Sequence, residues 1–187
     1  MTKQATAENP MKEGSILNTD GSNGYSLREA KIWLEERVNA EGAICPCCNQ
    51  FAKIYKRTIN SSMAYALILI ERQFAKGQDL EPEGWLHVPT FLTRVKAGVA
   101  GRGGDWAKLV YWGILEKRVA LRDDGSARVG HYKLPPLGVE FVHGKTSVPK
   151  FAHVYNGKAL KLSGKDIFIQ EALSKSNKFN YNELMQR

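Results

Sequence analysis

The apolar positions of this chain fall into short runs whose period changes several times. Ser26-Leu-Arg-Glu29 has the residues of a capping box, so a helix is expected from there to about Ala40, ended by Gly42. Phe51-Ala-Lys-Ile-Tyr55 alternates and reads as a short strand. Asn60-Ser-Ser caps a second helix with Met63, Leu67, Ile70 and Phe74 at helical spacing, and Gly77 stops it. Beyond an acidic loop from Asp79 to Glu83, Trp85-Leu-His-Val88 reads as a strand, and Pro89-Thr90 starts a compact helix from about Phe91 to Lys96. A Gly-rich turn from Gly98 to Gly104 delivers the chain into a helix capped by Asp105 that stops at the Gly113-Ile-Leu hinge. Two short strands are expected around Asp124-Gly125. Leu134 to Gly144 then leads into a short terminal helix or turn. Phe151 to Tyr155 and Lys158 to Leu162 flank Asn156-Gly157, whose residue types predict a type I′ hairpin turn. Asp166 to Leu173 reads as a short helix or strand, and the polar tail after Ser174 gives little signal.

Helix, strand, helix, turn, helix, hairpin is the order a winged helix-turn-helix requires. The expected fold class is α+β, with a disordered arm over residues 1–24, a helix and Cys knuckle over 25–58, a winged-helix domain over 59–145, and a hairpin extension with a polar tail over 146–187. That extension leaves three roles open: to dimerise, to cap the core or to recruit a partner.

The run Leu109-Val-Tyr-Trp-Gly-Ile-Leu-Glu116, the two-stranded wing, and Gly130-His-Tyr-Lys-Leu to Gly138-Val-Glu-Phe-Val-His-Gly144 resemble the winged helix-turn-helix of MarR-type regulators. That pattern places a Gly-Leu-Ile-like triplet before the wing and a Leu-Thr-x-x-Gly-x-x-Phe-like run after it. The resemblance spans roughly Asn60 to Gly144 and implies a DNA-binding fold. Pro135-Pro136 stands where the family has Thr and its neighbour, so the terminal dimerisation helix is expected to be absent or reoriented. The Cys-Pro-Cys-Cys knuckle is foreign to that pattern, and the whole layout resembles a protein encoded by a phage or mobile element.

Composition sharpens this picture through charge. The chain of 187 residues carries a formal net charge of +8 and is 43% hydrophobic, enough to fold. Residues 91–165 hold 14 Lys and Arg against 5 Asp and Glu, so the whole positive excess lies in the expected winged helix and the adjoining C-terminal hairpin. Such a field attracts phosphate backbones without specifying sequence. At α-helical spacing Asp105, Lys108, Trp112 and Glu116 share one stripe, the expected exposed face of the third helix. The basic residues sit at its edges: Arg94 and Lys96 on the preceding helix, Arg102 in the turn, and Arg122, Arg128 and Lys133 in the wing. This distribution fits phosphate clamping, with base reading left to Lys108 and a wing arginine. The alternative is that these are ordinary solvated charges.

Trp112 separates two functional readings. A helix that reads double-stranded DNA turns it into the core, whereas a protein-interaction module with a basic face for an acidic partner uses it as an anchor between Asp105 and Glu116. A homodimer or a protein partner is compatible with either.

Three cysteines crowded into Cys45-Pro-Cys47-Cys48 cannot form a disulfide framework. Cys45 and Cys48 have the two-residue spacer of a zinc knuckle, but zinc takes four ligands and the chain has no second Cys pair. His87, His131, His143 and His153 are scattered without ligand spacing. The cluster therefore reads as half a zinc site, completed by a distant His or a second subunit, or as a knuckle that folds with no cofactor. A redox enzyme built on it would need a thioredoxin-like context, which is missing. Gly98 to Gly104 lacks the Gly-Lys-Ser/Thr ending of a phosphate-cradling loop, and no Ser/His/Asp arrangement can be assembled. No enzyme is expected. The longest apolar stretch, Met63 to Ile70, is too short to span a bilayer, so a cytoplasmic protein without a membrane partner is expected.

Overall fold

A computed structural model describes residues 24–98, 103–121, 125–127, 129–176 and 178–186, in two units, Met1–Lys56 and Arg57–Arg187. Helices alternate with short strands in several small sheets, so the protein is α+β. Apart from Gly24, the arm expected over residues 1–24 lies outside the described residues.

The first unit opens with α1 (Leu27–Arg37). The Ser26 hydroxyl accepts from the Glu29 amide at 3.3 Å and the Glu29 carboxylate accepts from the Ser26 amide at 2.8 Å, the expected capping box. α1 ends at Arg37 instead of near Ala40, because Asn39 Oδ1 accepts from the amides of Glu41 at 2.8 Å and Gly42 at 2.9 Å and turns the chain. Gly42, with φ +103°, does not cap the helix; the ring of Phe51 occupies the place of its missing side chain. Next, β1 (Ala43–Ile44) pairs antiparallel with β2 (Phe51–Ala52). The strand expected over 51–55 is broken here, since the Ile54 amide donates to the Asn39 carbonyl at 2.8 Å and pairing resumes only in β3 (Tyr55–Thr58).

In the second unit α2 (Ser61–Lys76) begins where Asn60 Oδ1 accepts from the Met63 amide at 2.9 Å and ends at Gly77, φ +64°. Met63, Leu67 and Ile70 are buried as their spacing predicts, and Ala64, Ala66 and Ile68 join them, so the helix lies in the centre of the core. Of the expected strand over Trp85 to Val88 only β4 (Leu86–His87) forms. The following helix, α3 (Val88–Arg94), starts earlier than Phe91, because Pro89 is placed in its first turn, where a missing N–H costs nothing.

The segment Asp105–Trp112 is a 3-10 helix, where α-helical spacing was expected. Its buried residues are Trp106, Leu109 and Trp112, three apart each time. A helix of about 3.0 residues per turn keeps such residues on one line, whereas an α-helix would rotate Trp112 about 120° away from Trp106. The stripe of Asp105, Lys108, Trp112 and Glu116 therefore does not exist: Trp112 is 3% exposed and Glu116 lies beyond the helix. Gly113, φ +70°, ends the helix, and Ile114 and Leu115 are buried as the hinge.

β5 (Glu116–Lys117) and β6 (His131–Lys133) follow, and the sheet has the order β4-β6-β5. Leu121 and Ala127 make a further bridge towards the expected hairpin tip; Asp124 itself lies outside the described residues. Pro136 opens α4 (Pro136–Val142), where a short helix or turn was expected after the wing. A side chain on Gly138 would collide with the Ile114 carbonyl oxygen, so this glycine lets α4 lie directly on the hinge.

The hairpin predicted around Asn156-Gly157 is present, both turn residues having positive φ, +47° and +72°. Its strands β7 (Val148–Tyr155) and β8 (Lys158–Ile167) pair antiparallel. Val148, Ala152, Val154 and Ile167 enter the same core as α2, so the hairpin caps the core. α5 (Ile169–Ser174) packs on α2, and the tail after Ser174 carries α6 (Tyr181–Gln186), whose Leu184 is buried. Among the described residues no helix is long and apolar enough to cross a membrane.

Candidate nucleic-acid interface and cysteine knuckle

The β4-β6-β5 sheet has two unlike faces. Directly opposed residues share a face, and alternate residues of a strand lie on the same side. His87 opposes His131, and Glu116 opposes Lys133, which puts Trp85, His87, Glu116, Arg118, His131 and Lys133 on one side. Leu86 and Tyr132 take the other side, where the Tyr132 ring meets Trp106 edge-on at 4.9 Å within the core. Burial pushes the Tyr132 phenol above its usual range.

The outer face is a layer of cations over an indole. Lys133 Nζ stands 4.5 Å from the centre of the Trp85 ring, and the Arg118 guanidinium 5.4 Å. Arg118 also donates to Glu81 Oε2 at 3.2 Å. The other oxygen of Glu81 is 2.8 Å from His131 Nε2, and His131 Nδ1 is 3.0 Å from the Val129 carbonyl. The His87 ring lies 4.8 Å from that of His131, its Nδ1 2.7 Å from Thr90 Oγ1. The cationic surface of the hairpin is thus built on a pinned frame.

The other predicted contacts are dispersed around this frame. Arg94, in the last turn of α3, donates to Asp79 Oδ2 at 2.6 Å, so its charge is largely compensated. Lys96 follows α3 with φ +50° and is exposed. Lys108 pairs with Asp105 along the 3-10 helix, one turn apart. Arg102, Arg122 and Arg128 lie outside the described residues. The structure therefore brings Lys133 together with Arg118 and holds Arg94 and Lys108 in ion pairs.

Sequence reasoning missed Arg118, Glu81 and Trp85, whose meeting joins a loop, a strand end and a hairpin. It also passed over the lysines of the C-terminal hairpin. Opposed pairs place His153 with Lys161 and Tyr155 with Lys158 on one face of β7 and β8, and Lys150 Nζ lies 5.5 Å from the Phe151 ring. The alternation of Phe151, His153 and Tyr155 was the available signal.

In the first unit the cysteines form the loop of the β1-β2 hairpin. The Cys45 amide donates to the Gln50 carbonyl and the Asn49 amide to the Cys45 carbonyl, both at 2.9 Å, and Asn49 takes the left-handed conformation, φ +57°. Burial raises the Cys45 thiol, but hydrogen bonds from the Cys48 and Cys47 backbone and from the Cys48 side chain outweigh it, leaving the thiol below its usual range. All three cysteines are free, and among the described residues no group of three or more His, Cys, Asp or Glu converges on a metal position.

Comparison of the chain with family models, with curated proteins and with solved structures finds no match.

Proposed function

We propose that the second unit is a winged helix-turn-helix, of the kind the MarR-type resemblance implies, and that it binds double-stranded DNA as a cytoplasmic regulator or accessory factor. The observation that carries this reading is the succession of α2, β4, α3, the 3-10 helix and the β5-β6 hairpin with the strand order β4-β6-β5, the 3-10 helix and the hairpin lying within the stretch that holds the positive excess. An eight-residue 3-10 helix with its apolar line in the core offers few side chains to base edges. Binding is therefore mainly to phosphate, through the hairpin cations and Lys96, with little sequence preference. The burial of Trp112 favours this reading over a protein-interaction module, which needed that indole as a surface anchor.

The test is equilibrium binding to random-sequence duplex DNA across a salt series, beside an unrelated acidic polymer. Affinity should fall steeply with salt, with a log-log slope of about −0.9 for each phosphate neutralised. Replacing Arg122 and Arg128 together by Ala should weaken binding and flatten that slope. An unchanged slope sinks the hairpin assignment, and no duplex binding at low salt sinks the reading as a whole.

A further inference from the structure

Phe151, His153 and Tyr155 alternate along β7 with Ala152 and Val154, so the two sets face opposite ways. Ala152 and Val154 enter the core, whereas the three rings are half-buried on the outer side, where part of each meets solvent. Across the hairpin Phe151 pairs with Ser163, His153 with Lys161 and Tyr155 with Lys158. The Phe151 ring lies against Gly164, where an added Cβ would stand 2.7 Å from Phe151 Cδ2, and His153 Nε2 is 2.8 Å from Ser163 Oγ. Two of the rings are therefore held against β8 in the free protein.

Cations flank this row of rings. Lys158 and Lys161 are exposed, and neither makes an ion pair among the described residues. Lys150 Nζ stands 5.5 Å from the centre of the Phe151 ring. A polyanion that also carries flat aromatic faces uses both features, its charges on the lysines and its faces on the rings. Alternate residues of a strand stand about 6.7 Å apart. That is roughly twice the spacing of bases along a stacked strand. A duplex keeps its base faces stacked on one another and has none to give such a row. An unpaired strand, whose bases turn out freely, does.

We propose that the β7-β8 hairpin binds single-stranded nucleic acid, with bases stacked on Tyr155, His153 and Phe151 and phosphates on Lys158, Lys161 and Lys150. This surface is distinct from the one proposed for duplex DNA on the β4-β6-β5 sheet, and its activity does not depend on that reading.

The experiment titrates the full-length chain with labelled dT and U strands of about 12 nucleotides, with an abasic deoxyribose-phosphate strand of the same length, and with duplex DNA, each across a salt series. The abasic strand should bind at least about tenfold more weakly than dT. Tyr155→Ala should weaken binding of the base-bearing strand by about tenfold at every salt concentration without changing the slope, and Tyr155→Phe should retain it. Lys161→Ala should instead lower the log-log salt slope by about 0.7. Duplex binding should be the same in Tyr155→Ala as in the parent. Binding of dT and U together, or of one alone, supports the site and identifies the sugar it takes. Circular dichroism and melting temperature check each fold, and His153→Ala serves as the second stacking variant. No single-strand binding, an abasic strand held as tightly as dT, or parental affinity in both folded stacking variants would each overturn the proposal. Single-strand binding without duplex binding would overturn the duplex reading and leave this site standing.

Discussion

The indole N–H of Trp112 donates to the main-chain carbonyl of Pro149 at 2.7 Å and ties the 3-10 helix to the first strand of the C-terminal hairpin. Trp106, on the same buried line, has an indole nitrogen with no hydrogen-bond partner among the described residues. The two tryptophans should therefore respond differently to the same substitution. Trp112→Phe removes that hydrogen bond, a cost of about 0.5–1.5 kcal/mol beyond the lost volume. Trp106→Phe loses volume alone. Urea midpoints at constant m-value compare the two, and equal losses would mean that the bond to Pro149 contributes nothing.

Gly138→Ala tests the seat of α4. The added methyl meets the Ile114 carbonyl oxygen, which is backbone in a buried hinge and cannot swing aside like a side chain. The expected cost is about 1–3 kcal/mol, read as a lower melting temperature. A melting temperature equal to that of the parent would show that α4 can slide off the hinge.

Asp79 should restrain duplex binding. It compensates Arg94 through their 2.6 Å contact, and its left-handed φ of +56° is one that Asn also tolerates. Asp79→Asn should strengthen binding by releasing the Arg94 charge, whereas Lys96→Ala should weaken it and reduce the salt slope by about 1. Titrations of both variants at two salt concentrations decide this. Unchanged binding by Asp79→Asn would place the Arg94 side chain away from the DNA.

Alkaline pH should destabilise the second unit. Burial raises the phenols of Tyr132 and of Tyr181, the latter with help from the nearby Glu71 charge, and the Tyr181 hydroxyl donates to the Val142 carbonyl at 2.9 Å. A raised acid stays neutral in the fold, so its contribution is complete below the ordinary value of 10.0 and is lost as pH climbs through the raised one. Denaturant midpoints from neutral pH to beyond 10.0 should fall, and Tyr132→Phe should flatten the fall; an identical decline in that variant would place the titration elsewhere. Glu29 has the opposite sign. Hydrogen bonds from the Ser26 side chain and backbone lower its carboxyl, so the α1 capping box weakens as pH drops below 4.5.

Features that depend on neighbours in sequence were legible before the fold was known. The box at Ser26 and Glu29, the Asn60 cap, the Gly77 stop and the Asn156-Gly157 turn each concern backbone groups close together along the chain, and each forms as expected. Helix pitch at Asp105–Trp112 was not legible. Trp106, Leu109 and Trp112 are compatible with either period until Tyr132 and Pro149 close over them from distant strands. The same limit hid Glu81, which reaches Arg118 and His131 across long stretches of chain.

The sequence by itself determined the α+β class, the order of helices and hairpins, the positive charge of residues 91–165 and the tight turn at Cys45 to Cys48. Local hydrogen bonding and backbone preference are sufficient for these. Only the tertiary structure decided that Trp112 is core, that the C-terminal hairpin caps α2, and that the cations Arg118 and Lys133 meet over Trp85. Those outcomes depend on which apolar surfaces exclude water together, and burial between residues far apart in the chain leaves no period along it.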